Sequence, residues 1–463
     1  MTGHEDGLLA ETARALDRRL ATAQATGRAP SMVAAVARDR RVVWRGARGE
    51  LPAGVEPEDV QYRIGSITKT LTAVQVLRLR DEGLLDLADR IGAHVDTPHG
   101  GDATIAQLLA HTGGLAAEAR GPWWERTPGE LRPELADVFG EHPRKHPEGR
   151  RFHYSNPGYA LLGALVERLR GRPWAEALRD EVLLPLGMTR TGTAPEEPHA
   201  RGWAVHPYAD VRQPEPTEDI GRMAPAGQLW STTADLARFA AFLSLGGRDD
   251  VLADGTLAEM RRPAAPPEPE GWNGGYGLGV QLLRQDGRLL VGHGGSMPGF
   301  VASLWASPEE RVAAVVFANV TSGAATGALG TRLIAEVLER EPTLPEPWRP
   351  DPDPDPALVA LTGPWYWGTA PFELRLRPGR VLDLTPAGGG PGRGAAFRPE
   401  TDGTWTGLTG YYAGETLRVG HAADGRVDHL DVGTFVFTRT PYDPAAPVPG
   451  GARPWGASEG GRR

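Results

Sequence analysis

Three short stretches of this 463-residue sequence combine residue types that can attack an acyl group, move its protons and polarise it. They are Ser66 with Lys69, Tyr154 with Asn156, and His293 with Gly294, Gly295 and Ser296. A serine hydroxyl is a weak nucleophile at pH 7 and needs an adjacent base, and a lysine withdrawn from water can lose its proton near neutrality. In RIGSITKTLTAVQVLRLRDEG, apolar residues at Ile67, Leu71, Val74 and Leu77 and a terminating Gly83 predict a helix. Ser66 and Lys69, three apart, then share one face of its first turn, where free backbone N–H groups and the positive end of the helix dipole adjoin the serine oxygen. Ser-x-x-Lys arises by chance in most chains of this length, so the pair decides nothing alone.

In PEGRRFHYSNPGYALLGALVERLRG, Asn156 as N-cap and Pro157 after it open a helix with apolar residues at Leu161, Leu165 and Leu169. An ordinary helix start beside a core tyrosine accounts for this stretch. The catalytic alternative makes the Tyr154 hydroxyl a proton relay and Asn156 a ligand for a substrate amide. RLLVGHGGSMPGFVASLWASPEERVAAVVFANV predicts two alternating strands around a polar turn, and the Gly pair after His293 leaves a strand edge bare. Such an edge can hydrogen-bond an extended substrate and supply an oxyanion N–H from Ser296; a Gly-rich hairpin with a structural histidine is the plainer account.

The length suits one large domain and a small one. Residues 1–340 mix helical and strand patterns. Residues 341–356, containing EPTLPEPWRPDPDPDP, alternate proline with acids and read as a linker. Residues 357–440 carry short alternating segments such as Phe372–Arg377, Arg380–Leu384, Thr416–Val419 and Val432–Phe437, the pattern of a small antiparallel β domain. Residues 441–463, rich in Pro, Gly and Ala without periodicity, read as a disordered tail.

Acids outnumber bases 59 to 50, which argues against nucleic acid as a partner. With no cysteine there is neither a disulfide nor a thiolate nucleophile. His142, His146 and His153 are close in sequence, but Pro143 and Pro147 break any helical pair, so neither a metal nor another cofactor is expected. The N-terminal segment reads as an amphipathic helix rather than an export signal, and no stretch is apolar enough to span a membrane, so a cytoplasmic protein is expected.

Taken in order, Ser-x-x-Lys, Tyr-x-Asn and His-Gly-Gly, together with TIAQLLAHTGGL and APAGQLWSTTADLARFAAFL between them, resemble the serine penicillin-binding protein and class C β-lactamase-related family. The resemblance covers roughly residues 10–340. It implies an α/β (α+β) β-lactamase/transpeptidase-like domain, with an antiparallel sheet flanked by helices and an all-helical subdomain. Ser66 would be the nucleophile, Lys69 its partner and Tyr154 the proton shuttle to the leaving group, with either Lys69 or Tyr154 as base. Asn156 would orient substrate, His293 would stand in the third box, and the N–H groups of Ser66 and Ser296 would form the oxyanion hole.

Lysine is usual at the place of His293 in β-lactamases, where it attracts a carboxylate; a histidine there, charged part of the time near pH 7, is commoner in D-aminopeptidases and esterases. GPWYWG at Gly363–Gly368 resembles the start of the lipocalin-like barrel that accompanies some members. Trp365, Trp367, Trp405, Tyr411 and Tyr412 would be its core, and Arg439 a contact for a substrate carboxylate. The resemblance implies a hydrolase acting on a small-molecule or peptidyl ester or amide. One alternative is a thioesterase that takes a peptide from a carrier protein and cyclises it; another is a catalytically silent binding protein.

Overall fold

Strand β1 (Ser31–Arg38) reads SMVAAVAR and is buried on both faces. Successive strand side chains point to opposite sides. Met32, Ala34 and Val36 therefore pack with the helices Ala10–Thr26 and Thr326–Arg340, while Val33, Ala35 and Ala37 join a second core with helices that include Ile67–Asp81, Asn156–Arg170 and Thr233–Leu245. β2 (Arg41–Gly49) flanks β1. Two short ladders pair β3 (Tyr62–Arg63) with β6 (Trp230–Ser231) and β4 (Trp203–Val205) with β5 (Arg212–Pro214). β7 (Gly274–Tyr276), β8 (Gln281–Gln285), β9 (Arg288–Met297), β10 (Phe300–Ser307) and β11 (Val312–Ala318) complete an antiparallel sheet ordered β2-β1-β11-β10-β9-β8-β7. These elements belong to a computed structural model that describes residues 7–265, 273–345, 347–389, 392–422 and 424–441. Among them, no helix is long and apolar enough to cross a membrane.

The stretch expected to hold two strands after Arg288 holds three, β9 to β11. Pro298 and Gly299 make a tight hairpin between Met297 and Phe300, with Gly299 at φ 79°, which proline then glycine satisfies without strain. The helix Ile67–Asp81 also departs from the amphipathic reading, because Thr68, Lys69, Thr70, Thr72 and Gln75 are buried along with its apolar positions. A helix covered on all sides must find partners for its polar groups, since an unpaired one costs about 1–3 kcal/mol. Thr70 donates to Gly279 O and Thr72 to Pro225 O, each at 2.9 Å, and Gln75 donates to Trp174 O. The helix that follows Ser66 is thus bolted to its neighbours by side chains that sequence periodicity assigns to solvent.

The chain divides into units Met1–Leu344 and Pro345–Arg463. The second is a closed eight-stranded antiparallel barrel whose strands run, in order, Gly363–Trp367, Ala370–Arg377, Val381–Pro386, Ala395–Pro399, Trp405–Gly407, Thr416–His421, Val427–Val432 and Phe435–Thr438. The segment Val432–Phe437, read as one strand, is the hairpin between the last two, turning at Gly433 with φ 65°. Trp365, Trp405 and Tyr412 fill the barrel, but Trp367 and Tyr411 are exposed, beneath the guanidinium of Arg393. Arg439 lies on the Trp365 ring and donates to Ala360 O, Thr362 O and Pro364 O, so its donors serve the barrel and not a substrate carboxylate. The stretch read as a tail lies, after Pro441, outside the described residues.

Candidate active site

Ser66 stands at the amino end of the Ile67–Asp81 helix, partly exposed, with φ −63° and ψ −7°. The backbone there is pressed against β9. A Cβ on Gly65, whose φ is 52°, would come within 2.6 Å of Ser296 N, and one on Gly295 within 1.9 Å of Ile64 O. Only glycines permit this approach, and it sets the backbone of Ser66 beside that of Ser296, the juxtaposition an oxyanion pair requires.

One turn into the helix, the fully buried Lys69 Nζ donates to Ser66 Oγ at 3.0 Å and to Ala226 O at 2.6 Å. Burial lowers its pKa to about 7, against the opposing pull of the Glu118 and Glu125 carboxylates. Near neutral pH a substantial share of Lys69 is therefore unprotonated and able to accept the serine proton. Tyr154 and Tyr159 present their rings to the lysine nitrogen, at 5.0 and 5.7 Å. The Tyr154 hydroxyl is buried and has no hydrogen-bond partner among the described residues. It lies close enough to Ser66 for the serine to favour its ionisation, yet burial prevails and pushes its pKa up. The Tyr154 hydroxyl beside Ser66 therefore keeps its proton near neutral pH.

Asn156 is not the N-cap. Ser155 holds that place, its Oγ accepting from Gly158 N at 3.1 Å and donating to Ala116 O at 2.7 Å. Asn156 is the first helical residue, and its amide is thereby freed to donate to Glu118 Oε2 at 2.9 Å. Glu118 is exposed and also accepts from Trp124 Nε1 at 2.5 Å. The half-buried Glu125 has its pKa raised, first by burial and then by the charge of Glu118. Nothing in local spacing singles these two acids out, because Glu118 reaches the site on a loop and Glu125 on the single 3-10 turn Trp124–Arg126 that follows it.

On β9, His293 is buried and its pKa is lowered to about 3, by burial foremost and then by Lys69. It is neutral at pH 7 instead of partly charged, because its surroundings offer no counter-ion for an imidazolium. The edge at Gly294 is not bare either, since Gln281 Oε1 accepts from Gly294 N at 3.3 Å. A Cβ on Gly294 would meet nothing within 4 Å. Gly294→Thr is therefore expected to fold normally, with an unchanged melting temperature, while lowering kcat/KM for bulky acyl donors more than for small ones. His142, His146 and His153 line one cavity of about 700 Å³ with Glu118, the last two rings 4.9 Å apart, and among the described residues no cluster suited to a metal is formed.

The beta-lactamase family profile matches residues 16–339, and a domain of unknown function (DUF7586) matches residues 354–439. Penicillin-binding protein 4 of Amycolatopsis lactamdurans is 31% identical over 327 residues, 65% of this chain and 83% of that protein. Among solved structures, the octameric penicillin-binding protein homologue from Pyrococcus abyssi is 24% identical with a TM-score of 0.62, covering 92% of this chain and 99% of its own. A D-stereospecific amidohydrolase from Streptomyces sp. is 27% identical with a TM-score of 0.56, covering 70% of this chain and 98% of its own.

Proposed function

The chain belongs to the beta-lactamase family, and on that premise we propose that it hydrolyses amides or esters through an acyl-enzyme on Ser66, with acyl donors bearing a free ammonium group as its substrates. The observation that carries the reading is the buried Lys69 Nζ, 3.0 Å from Ser66 Oγ, with a pKa of about 7. Neutral Lys69 accepts the serine proton as Oγ adds to the carbonyl carbon, and the oxyanion that forms faces the N–H groups of Ser66 and Ser296. Tyr154 passes the proton from Lys69 to the leaving nitrogen or oxygen as its bond to the carbonyl carbon breaks. Water then attacks the acyl-enzyme, and its proton returns along the same path to Ser66 Oγ.

Two features support an ammonium on the substrate. The neutral His293 and side-chain-free Gly294 provide no cation or hydroxyl to hold a carboxylate, whereas Glu118 and Glu125 place negative charge at the site. The likeness to a D-stereospecific amidohydrolase supports amide chemistry. Glu118→Gln is expected to raise KM for aminoacyl p-nitroanilides with a free amine but not for their N-acetylated forms. It should also move the acid limb of kcat/KM to lower pH, because the Glu118 charge raises the Lys69 pKa. Equal KM changes for both substrate sets would remove the ammonium from the proposal.

The same acids could hold the amine of an acceptor. A carrier-bound peptide whose own amino end attacks the acyl-Ser66 carbonyl would then leave as a ring, and cyclic product from peptidyl thioesters, in place of linear acid, would select that second reading.

A further inference from the structure

A buried chain of three side chains, which the steps above leave unused, joins the two sides of the site. His111 follows the short helix Ile105–Leu109 with φ 57°, Tyr276 ends β7, and His293 lies in β9. His111 Nε2 is 3.2 Å from the Tyr276 hydroxyl, and that hydroxyl is 2.9 Å from His293 Nε2.

The outer partners decide where the protons sit. His111 Nδ1 accepts from the backbone N–H of Ser155 at 3.0 Å, so its own proton is on Nε2 and is donated to the Tyr276 oxygen. His293 Nδ1 lies 2.5 Å from Gly294 O, which can only accept, so that nitrogen carries the proton and Nε2 is the acceptor. The Tyr276 proton accordingly points to His293. Each ring nitrogen in the chain has one role, and reversing any one of them would set two donors or two acceptors face to face. The ends are informative. Ser155 adjoins Tyr154, whose ring lies 4.1 Å from that of His111, and Gly294 belongs to the β9 edge.

We infer that Tyr276 is a positioning residue: by accepting from His111 and donating to His293 it holds both rings as single neutral tautomers and ties the Tyr154 segment to the β9 edge. The groups facing the chain are consistent with this. Burial first, and then the positive charge of Lys69, oppose protonation of both histidines, and His293 and His153 act in the same sense on His111. Tyr154 and Tyr159, the other ionisable side chains against Tyr276, are kept neutral by burial.

The inference rests on acylation of Ser66 but not on the nature of the substrate. Long-range 1H–15N correlation of 15N-histidine-labelled protein is expected to show His111 protonated only on Nε2 and His293 only on Nδ1, unchanged between pH 8 and pH 5. Tyr276→Phe, which leaves both Nε2 atoms unpartnered, should mix the tautomers. It should slow labelling of Ser66 by a fluorophosphonate about 10- to 100-fold, the scale on which small misplacements of reacting groups act. A His293 that titrates in that pH range, an Nε2–H tautomer of His293, or wild-type labelling by Tyr276→Phe would each overturn the proposal. If wild type itself escapes labelling, the acyl-enzyme reading fails, and the tautomers still decide the role of Tyr276.

Discussion

Ser66→Ala is expected to fold as the wild type does and to form no covalent adduct, while wild-type protein incubated with an aminoacyl ester gains the mass of the acyl group. The variant removes one partly exposed oxygen and leaves the packing of the Ile67–Asp81 helix intact, so loss of activity cannot be ascribed to unfolding. Hydrolysis should fall by at least about 10⁴-fold, leaving only what the oxyanion donors and binding supply. Intact-protein mass spectrometry with parallel product analysis checks this, and a Ser66→Ala variant that turned over normally would end the assignment of the nucleophile.

The second large effect is at Lys69. Lys69→Met keeps the length and volume of the buried side chain and removes the base, which should slow acylation about 10²- to 10⁴-fold. In wild type, kcat/KM should rise with pH through about 7, as Lys69 becomes neutral, and fall tenfold per pH unit below it. The same depressed pKa makes a prediction about stability, because the unfolded chain restores the ordinary value of 10.5. Between about pH 7 and 10.5 the unfolded state binds more protons than the folded one, so the Lys69 contribution to stability rises with pH across that window and is most unfavourable below it. At about 1.4 kcal/mol per pKa unit, the burden is on the order of several kcal/mol at pH 7, partly offset by the hydrogen bonds to Ser66 and Ala226. Lys69→Met should therefore melt at a higher temperature than wild type at pH 7, with the difference shrinking toward pH 10. A less stable Lys69→Met at pH 7 would mean that the lysine is not held against its solvation preference and that the pH-rate limb has another source.

The helix around Lys69 is anchored by more than its own backbone. Thr68, Thr70, Thr72 and Gln75 each bond outside the helix, holding in register the one charged group that burial would otherwise expel. The tight backbone approach of Gly65 and Gly295 serves the same end on the serine side.

The sequence by itself determined the order of the three motifs, the helices that carry Ser66 and follow Tyr154, and the strand-type patterning of both units, but not the number of strands, since β9 to β11 read as two and the last barrel hairpin as one. The features it determined rest on signals that are local: period-3.6 and period-2 patterning, Pro and Gly punctuation, and residue types at short spacing. Only the tertiary structure decided the charge and partners of the site. His293 is neutral because it is buried, and burial at one residue is set by chain folded over it from elsewhere. Asn156 meets Glu118, and Tyr276 joins His111 to His293, across 38, 165 and 17 positions of sequence, distances at which no periodicity carries information. Trp367 and Tyr411 fell outside the barrel core for a related reason: composition marks an aromatic as able to fill a core, but Trp367 stands at the end of its strand, where register sets its face, and Tyr411 in the turn Gly410–Tyr412 between two strands, beside the buried Tyr412.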